Sequence, residues 1–412
     1  MWSAPTATWG FSPLDEELGL LPGHLTPNLQ RHTTLLGGWI PFTQLGGILS
    51  ELLGVSISEA TLRRGTERHG GVYEAVQTAA VTQIERELPA APQGPPKLLL
   101  SVDGAMVPLV GGEWAEVKTL VLGEVGAAVI EDGESVVHST ALSYFSRLTD
   151  AERFQRLALV ETQRRGVETA QQVLAPTDGA VWIQGFLDYH RHDAQRILDF
   201  GHAAEYVAVI GTAVGTTDSA AFQSWFHQSL HTLKHAGATA LMPELREQVA
   251  CHPEQAELSD ALAYLEKRTA LMDYPEYQRQ GWPIGSGSVE SANKLVVEAR
   301  LKRAGMHWAA EHVNPMLSLR NAICSDRWDE AWQDITRDYR LQRRQRLVMR
   351  ARQRSVHRLP PVSSTASAPA ASGTATEAPV ALGTERRRPA ADHPWRRSMD
   401  FTPSRRSLFA KN

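Results

Sequence analysis

The feature that most limits the fold is a series of short apolar runs, separated by polar turns, between Lys97 and Phe200. Lys-Leu-Leu-Leu-Ser-Val (97–102) stops at Asp103-Gly104. Trp114 to Val125 and Ser135 to Leu142 have the β-branched, partly alternating make-up of two further strands. A helical pattern covers about Asp150 to Arg165, Val173-Leu174 leads to Asp178-Gly179, a helix is expected over Ala180–His190, and Gln195–Phe200 reads as another strand. Strands this short cannot each build a core, so they must share one sheet with helices laid against it, an α/β arrangement.

Strand, strand, strand, helix, strand, helix, strand is the order of an RNase H-like core. A polar helical stretch from about His202 to Met272 interrupts it, an all-α insertion spanning about 203–280. The chain then returns through Gly285-Ser286-Gly287-Ser288 into a helix expected over Val289–Arg303. The core is expected to span 97–335, preceded by an N-terminal segment (1–31) and a helical region (32–89), and followed by a basic helix (336–359). Pro, Ala, Ser, Thr and Arg dominate 360–412, which cannot bury enough apolar surface to fold and is expected to be disordered. No run of about 18 apolar residues is present to span a membrane. Two cysteines, Cys251 and Cys324, are too few for a disulfide framework and suit a reducing cytoplasm.

The net charge of −4 argues against a protein that simply coats nucleic acid, but its distribution is uneven. Between Arg337 and Arg358 lie nine arginines and one acid, Asp338, and the tail adds Arg386-Arg387-Arg388, Arg396-Arg397 and Arg405-Arg406. Basic charge gathered at one end suits a polyanion such as DNA, although a solvated arginine-rich helix has the same composition. The helical region adds a helix-turn-helix pattern. Phe42, Leu45, Ile48, Leu49 and Leu52 recur at helical spacing up to Gly54, and Ser58-Glu59 can start a second helix running to about His69. That helix carries Thr61, Arg63, Arg64, Thr66 and Arg68, types that reach phosphates and base edges, as a plain helical hairpin also would.

Asp-Gly follows an apolar strand twice, at Asp103 and Asp178, and Glu290 opens a helix after a Gly/Ser turn. Carboxylates at strand ends suit Mg²⁺, a hard cation that takes oxygen ligands. Phosphoryl transfer uses such sets to hold two ions about 3.5–4 Å apart. Each acid also has a plain structural alternative, a turn for Asp-Gly and a helix-dipole interaction for Glu290. For the second acid, Asp178 is preferred over Asp188 and Asp199, and Asp199 stands in an Asp-x-x-His spacing with His202. Helical spacing puts Glu290, Asn293, Lys294, Val297 and Leu301 on one face, with Val289, Ala292, Val296 and Ala299 as the core stripe. Arg300, Lys302, Arg303 and Trp308 then form a basic-aromatic segment able to hold phosphates and stack a base, or else a helix end with a core tryptophan.

Five ordered segments together resemble the ISKra family of bacterial insertion-sequence transposases, relatives of the Mutator-like DDE enzymes. They are Ser-Val-Asp-Gly-Ala-Met-Val, Thr-Asp-Gly-Ala-Val-Trp-Ile, Ile-Leu-Asp-Phe-Gly-His-Ala-Ala-Glu-Tyr, Gly-Ser-Gly-Ser-Val-Glu-Ser-Ala-Asn-Lys and Arg-Leu-Lys-Arg-Ala-Gly-Met-His-Trp. The likeness runs from about Pro13-Leu14-Asp15 to Arg327, with His393-Pro394-Trp395-Arg396 similar to the family's tail. It implies that Asp103, Asp178 and Glu290 are the catalytic triad, holding Mg²⁺ or Mn²⁺ at two ions per site, with Asp199 and His202 in support. It further implies cleavage and strand transfer of an insertion sequence, on terminal inverted repeats and target DNA, by a homodimer associated with the nucleoid. One departure is that Met-Trp-Ser-Ala-Pro-Thr-Ala-Thr-Trp-Gly stands where relatives carry a longer segment with paired cysteines. The other class that the sequence allows is a truncated or domesticated transposase that only binds DNA.

Overall fold

The computed structural model describes residues 20–21, 25–131, 134–285 and 287–356. The expected tail 360–412, with its arginine clusters, and the segment around Pro13-Leu14-Asp15 lie outside the described residues.

Three helices come first: α1 (Pro27–Trp39), α2 (Phe42–Leu53) and α3 (Glu59–Glu87). Gly54 ends α2 in the left-handed conformation at φ 64°, a geometry that only glycine adopts cheaply. Ser58 caps α3 by accepting from the Thr61 N–H. The second helix is therefore far longer than expected, running past His69 to Glu87. The reason is tertiary: Leu62, Thr66, His69, Gly70, Tyr73 and Val81 give it a continuous buried side. Nor is the region a free-standing domain, because Phe42, Leu45, Leu49 and Leu62 share one core with the sheet residues Ala105, Val107, Val117 and Val121.

The sheet holds β1 (Lys97–Pro108), β2 (Trp114–Glu131), β3 (Glu134–Leu148), β4 (Gln172–Thr177) and β5 (Gln195–Leu198). Its order is β3-β2-β1-β4-β5, antiparallel within the first three strands and parallel from β1 to β4 to β5. This is an α/β protein with a mixed five-stranded sheet. The three antiparallel strands are longer than their apolar runs because the ladders continue past them, Leu98–Pro108 of β1 pairing with Glu124–Trp114 of β2, and β2 with β3 as far as Glu131 and Glu134. The expected helix over 150–165 is two short ones, α4 (Ala151–Leu157) and α5 (Leu159–Arg164), and α6 (Val181–Arg191) joins β4 to β5. On one sheet face, Leu98, Leu100, Val102, Val173 and Ala175 pack with Phe154, Ile183 and Phe186.

The other face carries the insertion. It contains α7 (Phe200–Gly211), α8 (Ala220–Ala236), α9 (Ala238–Ala250), α10 (Ala256–Glu266) and α11 (Tyr274–Arg279). Their apolar sides meet Leu99, Leu174, Ile197 and Leu198 in one cluster. The chain then returns as α12 (Gly287–Ala292), a π-helical turn (Asn293–Glu298) and α13 (Ala299–Leu301), followed by α14 (Ala310–Cys324) and α15 (Trp328–Val356). Among the described residues no helix is long and apolar enough to cross a membrane.

Strand β3 is an edge, yet α14 covers it through side chains. Asn314 accepts from the Leu148 N–H at 2.8 Å and donates to Leu148 O at 3.1 Å. One face further along α14, Asn321 does the same for Ser146, at 3.0 and 3.2 Å, and Ser325 accepts from the Tyr144 N–H at 3.0 Å. The asparagines thus stand in for a sixth strand and close an edge that would otherwise template pairing. Where α14 crosses α3, Gly70 is needed, since a Cβ there would lie 2.3 Å from Pro315 O.

Asn321 and Ser146 are both fully buried. Replacing Asn321 with leucine orphans an N–H and a C=O in the interior, at about 1–3 kcal/mol for each group. Urea denaturation should show that loss, and a smaller one for Asn314→Ala, whose site water can enter. Equal stability of Asn321→Leu and the parent protein would contradict this role.

Candidate active site

Strand β4 pairs with β1 only from Lys97 to Leu99. Pro176 then removes a ladder N–H, and Ser101 Oγ donates to Pro176 O at 3.1 Å instead. Four residues beyond the Leu99–Leu174 pair lie Asp103, within β1, and Asp178, the first residue after β4. Both fall on the sheet face that carries Leu99 and Leu174, the face covered by the insertion and the 287–301 segment. Thr177 pairs with Leu198, and Asp199 follows the end of β5, its N–H donating to Thr177 O at 2.9 Å.

Asp103 is half-buried, and both its oxygens are engaged. Oδ1 accepts from the Gly104 N–H at 2.7 Å, and Oδ2 accepts from Asn293 Nδ2 at 2.8 Å. Burial pushes its pKa above the ordinary carboxylate range, and the charges of Asp178 and Glu290 push the same way, while the two donors oppose them. Glu290 is exposed and lies one helical turn before Asn293. Asp178 Oδ1 accepts from the Ala180 N–H at 2.8 Å, a tight turn of the kind expected for Asp-Gly.

The insertion grips that turn. Tyr264 donates to Asp178 O, Arg268 donates to Gly179 O at 3.1 Å, and the Arg268 guanidinium lies 3.6 Å over the Tyr264 ring. Tyr264 is stacked on Tyr206 at 3.8 Å, with His202 edge-on to both. Gly179 sits at φ 81°, and a Cβ there would meet Arg268 Nε at 2.3 Å. The two competing acids have other surroundings. Asp188 is ion-paired to Arg196 on the surface. Asp199 is buried and caps α7, its Oδ1 accepting from the Gly201 and His202 N–H groups at 3.0 and 3.3 Å. His202 pairs through Nδ1 with Glu205 at 3.2 Å, so the Asp-x-x-His spacing includes a cap to backbone.

The helix carrying Glu290 departs from the expected stripe. Asn293, Val297 and Leu301 are buried beside Val289, Ala292 and Val296, while Ala299 is exposed. The cause is the π turn, which shifts the hydrogen-bond register by one residue and rotates the following positions. Arg300 and Trp308 are also inside: Arg300 Nε donates to Gly37 O at 2.8 Å, and Trp308 Nε1 donates to Leu301 O at 3.1 Å. Both belong to the packing and leave Lys294, Lys302 and Arg303 as the exposed cations of that segment. Arg63, Arg64 and Arg68 are exposed on α3, whereas Thr66 is buried against Gly37.

No protein-family model matches this chain, and no curated protein does. Its reading therefore rests on its own residues. Helical spacing puts Asn293 on the face of Glu290, and its bond to Asp103 is what the tertiary structure adds. Tyr264 and Arg268 gave no sequence signal, because their partners lie 86 and 89 residues away.

Asp103, Asp178 and Glu290 offer hard oxygen donors, and the charges of Asp178 and Glu290 both act on Asp103, a repulsion that a divalent cation would relieve. Among the described residues no group of three or more His, Cys, Asp or Glu side chains is arranged to hold an ion by itself. Because the folded-state pKa of Asp103 is raised, its contribution to stability is present at pH below the ordinary carboxylate range. It is lost as pH rises through the raised value. Asp103→Asn should then melt higher than the parent protein at pH 7 in chelator, with the gap closing in acid. Added Mg²⁺ or Mn²⁺ should raise the melting temperature of the parent protein only. A parent protein indifferent to both ions would remove the case for a metal centre.

Proposed function

We propose that this protein is a DDE transposase of the kind its five segments resemble, with an RNase H-like core that cleaves DNA strands and transfers them. The observation that carries the reading is that Asp178, just beyond the end of β4, and Glu290 both act by their charge on Asp103 of the neighbouring strand β1. The sheet order 3-2-1-4-5, with three antiparallel strands first and a helical insertion after the fifth, supports the core assignment. Asp103, Asp178 and Glu290 would hold two Mg²⁺ or Mn²⁺ ions. Such ions supply charge stabilisation to the attacking and leaving oxygens of an in-line phosphoryl transfer.

The protein's own part is to hold the acids still. Gly104 and Asn293 fix Asp103, Ala180 and the Tyr264–Arg268 pair fix the Asp178 turn, and the Asp199 cap orients the start of α7 beside it. The substrate would be double-stranded DNA, terminal inverted repeats and target alike. Arg63, Arg64 and Arg68 on α3 would contact the repeats, and Lys294, Lys302 and Arg303 would contact phosphates near the cleft. A homodimer on DNA follows from needing two ends joined in one event.

Two experiments test this. Asp103→Asn, Asp178→Asn and Glu290→Gln each preserve shape and remove a charge. Each should stay folded, bind DNA and lose strand cleavage in Mg²⁺ by orders of magnitude; full cleavage by Asp103→Asn or Glu290→Gln would end the mechanism. Replacing Arg63 and Arg64 together with alanine should weaken binding to element ends and lower the salt slope by up to about two phosphate contacts. An unchanged slope would show that α3 does not face DNA.

A further inference from the structure

Asn293 is nine-tenths buried, and it reaches across 190 residues of sequence to donate to Asp103 Oδ2. Its other polar atom, Oδ1, is buried with no hydrogen-bond partner. A buried carbonyl oxygen without a donor costs about 1–3 kcal/mol, so Asn293 is a poor choice for packing alone. It is also the first residue of the π turn, a helical form that is rare and concentrated at functional sites. That turn is held open from outside. Arg320, fully buried, donates through Nε to Val296 O at 3.2 Å and through its NH2 group to Leu295 O. Its NH1 group donates to Gly38 O at 3.2 Å, which ties the π turn to the end of α1.

We propose that Asn293 is a positioning residue that locks the Asp103 carboxylate for divalent-ion binding, and that the Arg320-held π turn exists to aim it. The proposal rests on the metal-dependent reading above. With Asn293 on Oδ2 at 2.8 Å and the Gly104 N–H on Oδ1 at 2.7 Å, both ends of the carboxylate are held, and each oxygen keeps a lone pair for an ion. Partners of this type, one step behind the ligands, commonly carry a 10–100-fold share of metal affinity. The arrangement gives up stability for ion affinity, and that trade makes it testable.

Asn293→Leu keeps nearly the same volume, removes the donor and removes the orphaned oxygen. In chelator it should melt at or above the parent temperature. Its affinity for Mn²⁺ alone, read by calorimetry, should fall about tenfold or more. Cleavage should demand correspondingly more Mn²⁺ and recover at saturation, while DNA affinity in chelator stays the same. Arg320→Met should weaken Mn²⁺ binding in the same direction, and combining it with Asn293→Leu should add little. If Asn293→Leu binds Mn²⁺ like the parent protein, the positioning role is wrong while the DDE reading stands. If the parent protein and Asp103→Asn both fail to bind Mn²⁺, the two fall together. If Asn293→Leu melts well below the parent, Asn293 is a packing residue and the proposal is overturned.

Discussion

Two guanidinium groups almost without access to water, Arg300 and Arg320, hold the acid-bearing segment in place, and most of the architecture around the cleft depends on them. They donate to main-chain carbonyls, Arg300 to Gly37 and Arg320 to Gly38, Leu295 and Val296. Their charges are also met by ring faces, Phe42 and Trp308 for Arg300 and Trp39 for Arg320. Burial lowers the pKa of both, Arg300 to about 10, and Arg320 adds to the lowering of Arg300. Burying a charge is costly unless it is fully hydrogen-bonded. Arg300 keeps one buried nitrogen without a hydrogen-bond partner, and the compensation is that helix-end and π-turn carbonyls need donors from outside their own helix. Each need answers the other, and the N-terminal helices become part of the same packed body as the acid-bearing segment.

The cleft itself comes from a defect in the sheet. β1 and β4 cease to pair after Leu99–Leu174, where Pro176 has no N–H to give, and the strands part just below Asp103 and Asp178. Parted strands would be soft if nothing else held them. Here Ser101 bridges to Pro176 O, the insertion grips the Asp178 turn through Tyr264 and Arg268, and Asn293 takes Asp103 from above. On the far side, Asn314, Asn321 and Ser325 seal the β3 edge, so the sheet is braced on both flanks of the opening. The opening is local, and the sheet around it is stiff.

Residue types and spacing were enough to read the succession of strands and helices, the turn at Asp178-Gly179, the helical stretch after Asp199 and a helix opening close to Glu290. Each of these is a local signal: an apolar run, a turn pair, a cap. The residues up to Leu88 read as helical, but the second helix of the pair is expected to end near His69, where Gly70-Gly71 follows; packing against α14 carries α3 through those glycines to Glu87. Arg300 and Trp308 looked like a basic surface because a sequence does not record which way a helix faces after a π turn. That turn has no composition of its own. It follows from the donors that reach it, and these come from residues far along the chain.

The sequence by itself determined which groups are available and in what order: three carboxylates at strand and helix boundaries, basic residues on α3, and a mixed α/β pattern around them. Tertiary structure alone decided that Asp178 and Glu290 act by their charge on Asp103, that Asp188 turns away to Arg196, and that Asp199 serves as a helix cap. It also decided that Asn293, Tyr264 and Arg268 secure the acids. The physical reason is range. Turns, caps and periodicity are set by neighbours within about four residues, whereas alignment across the cleft depends on contacts 86 to 190 residues apart. Those contacts form only when the whole body packs.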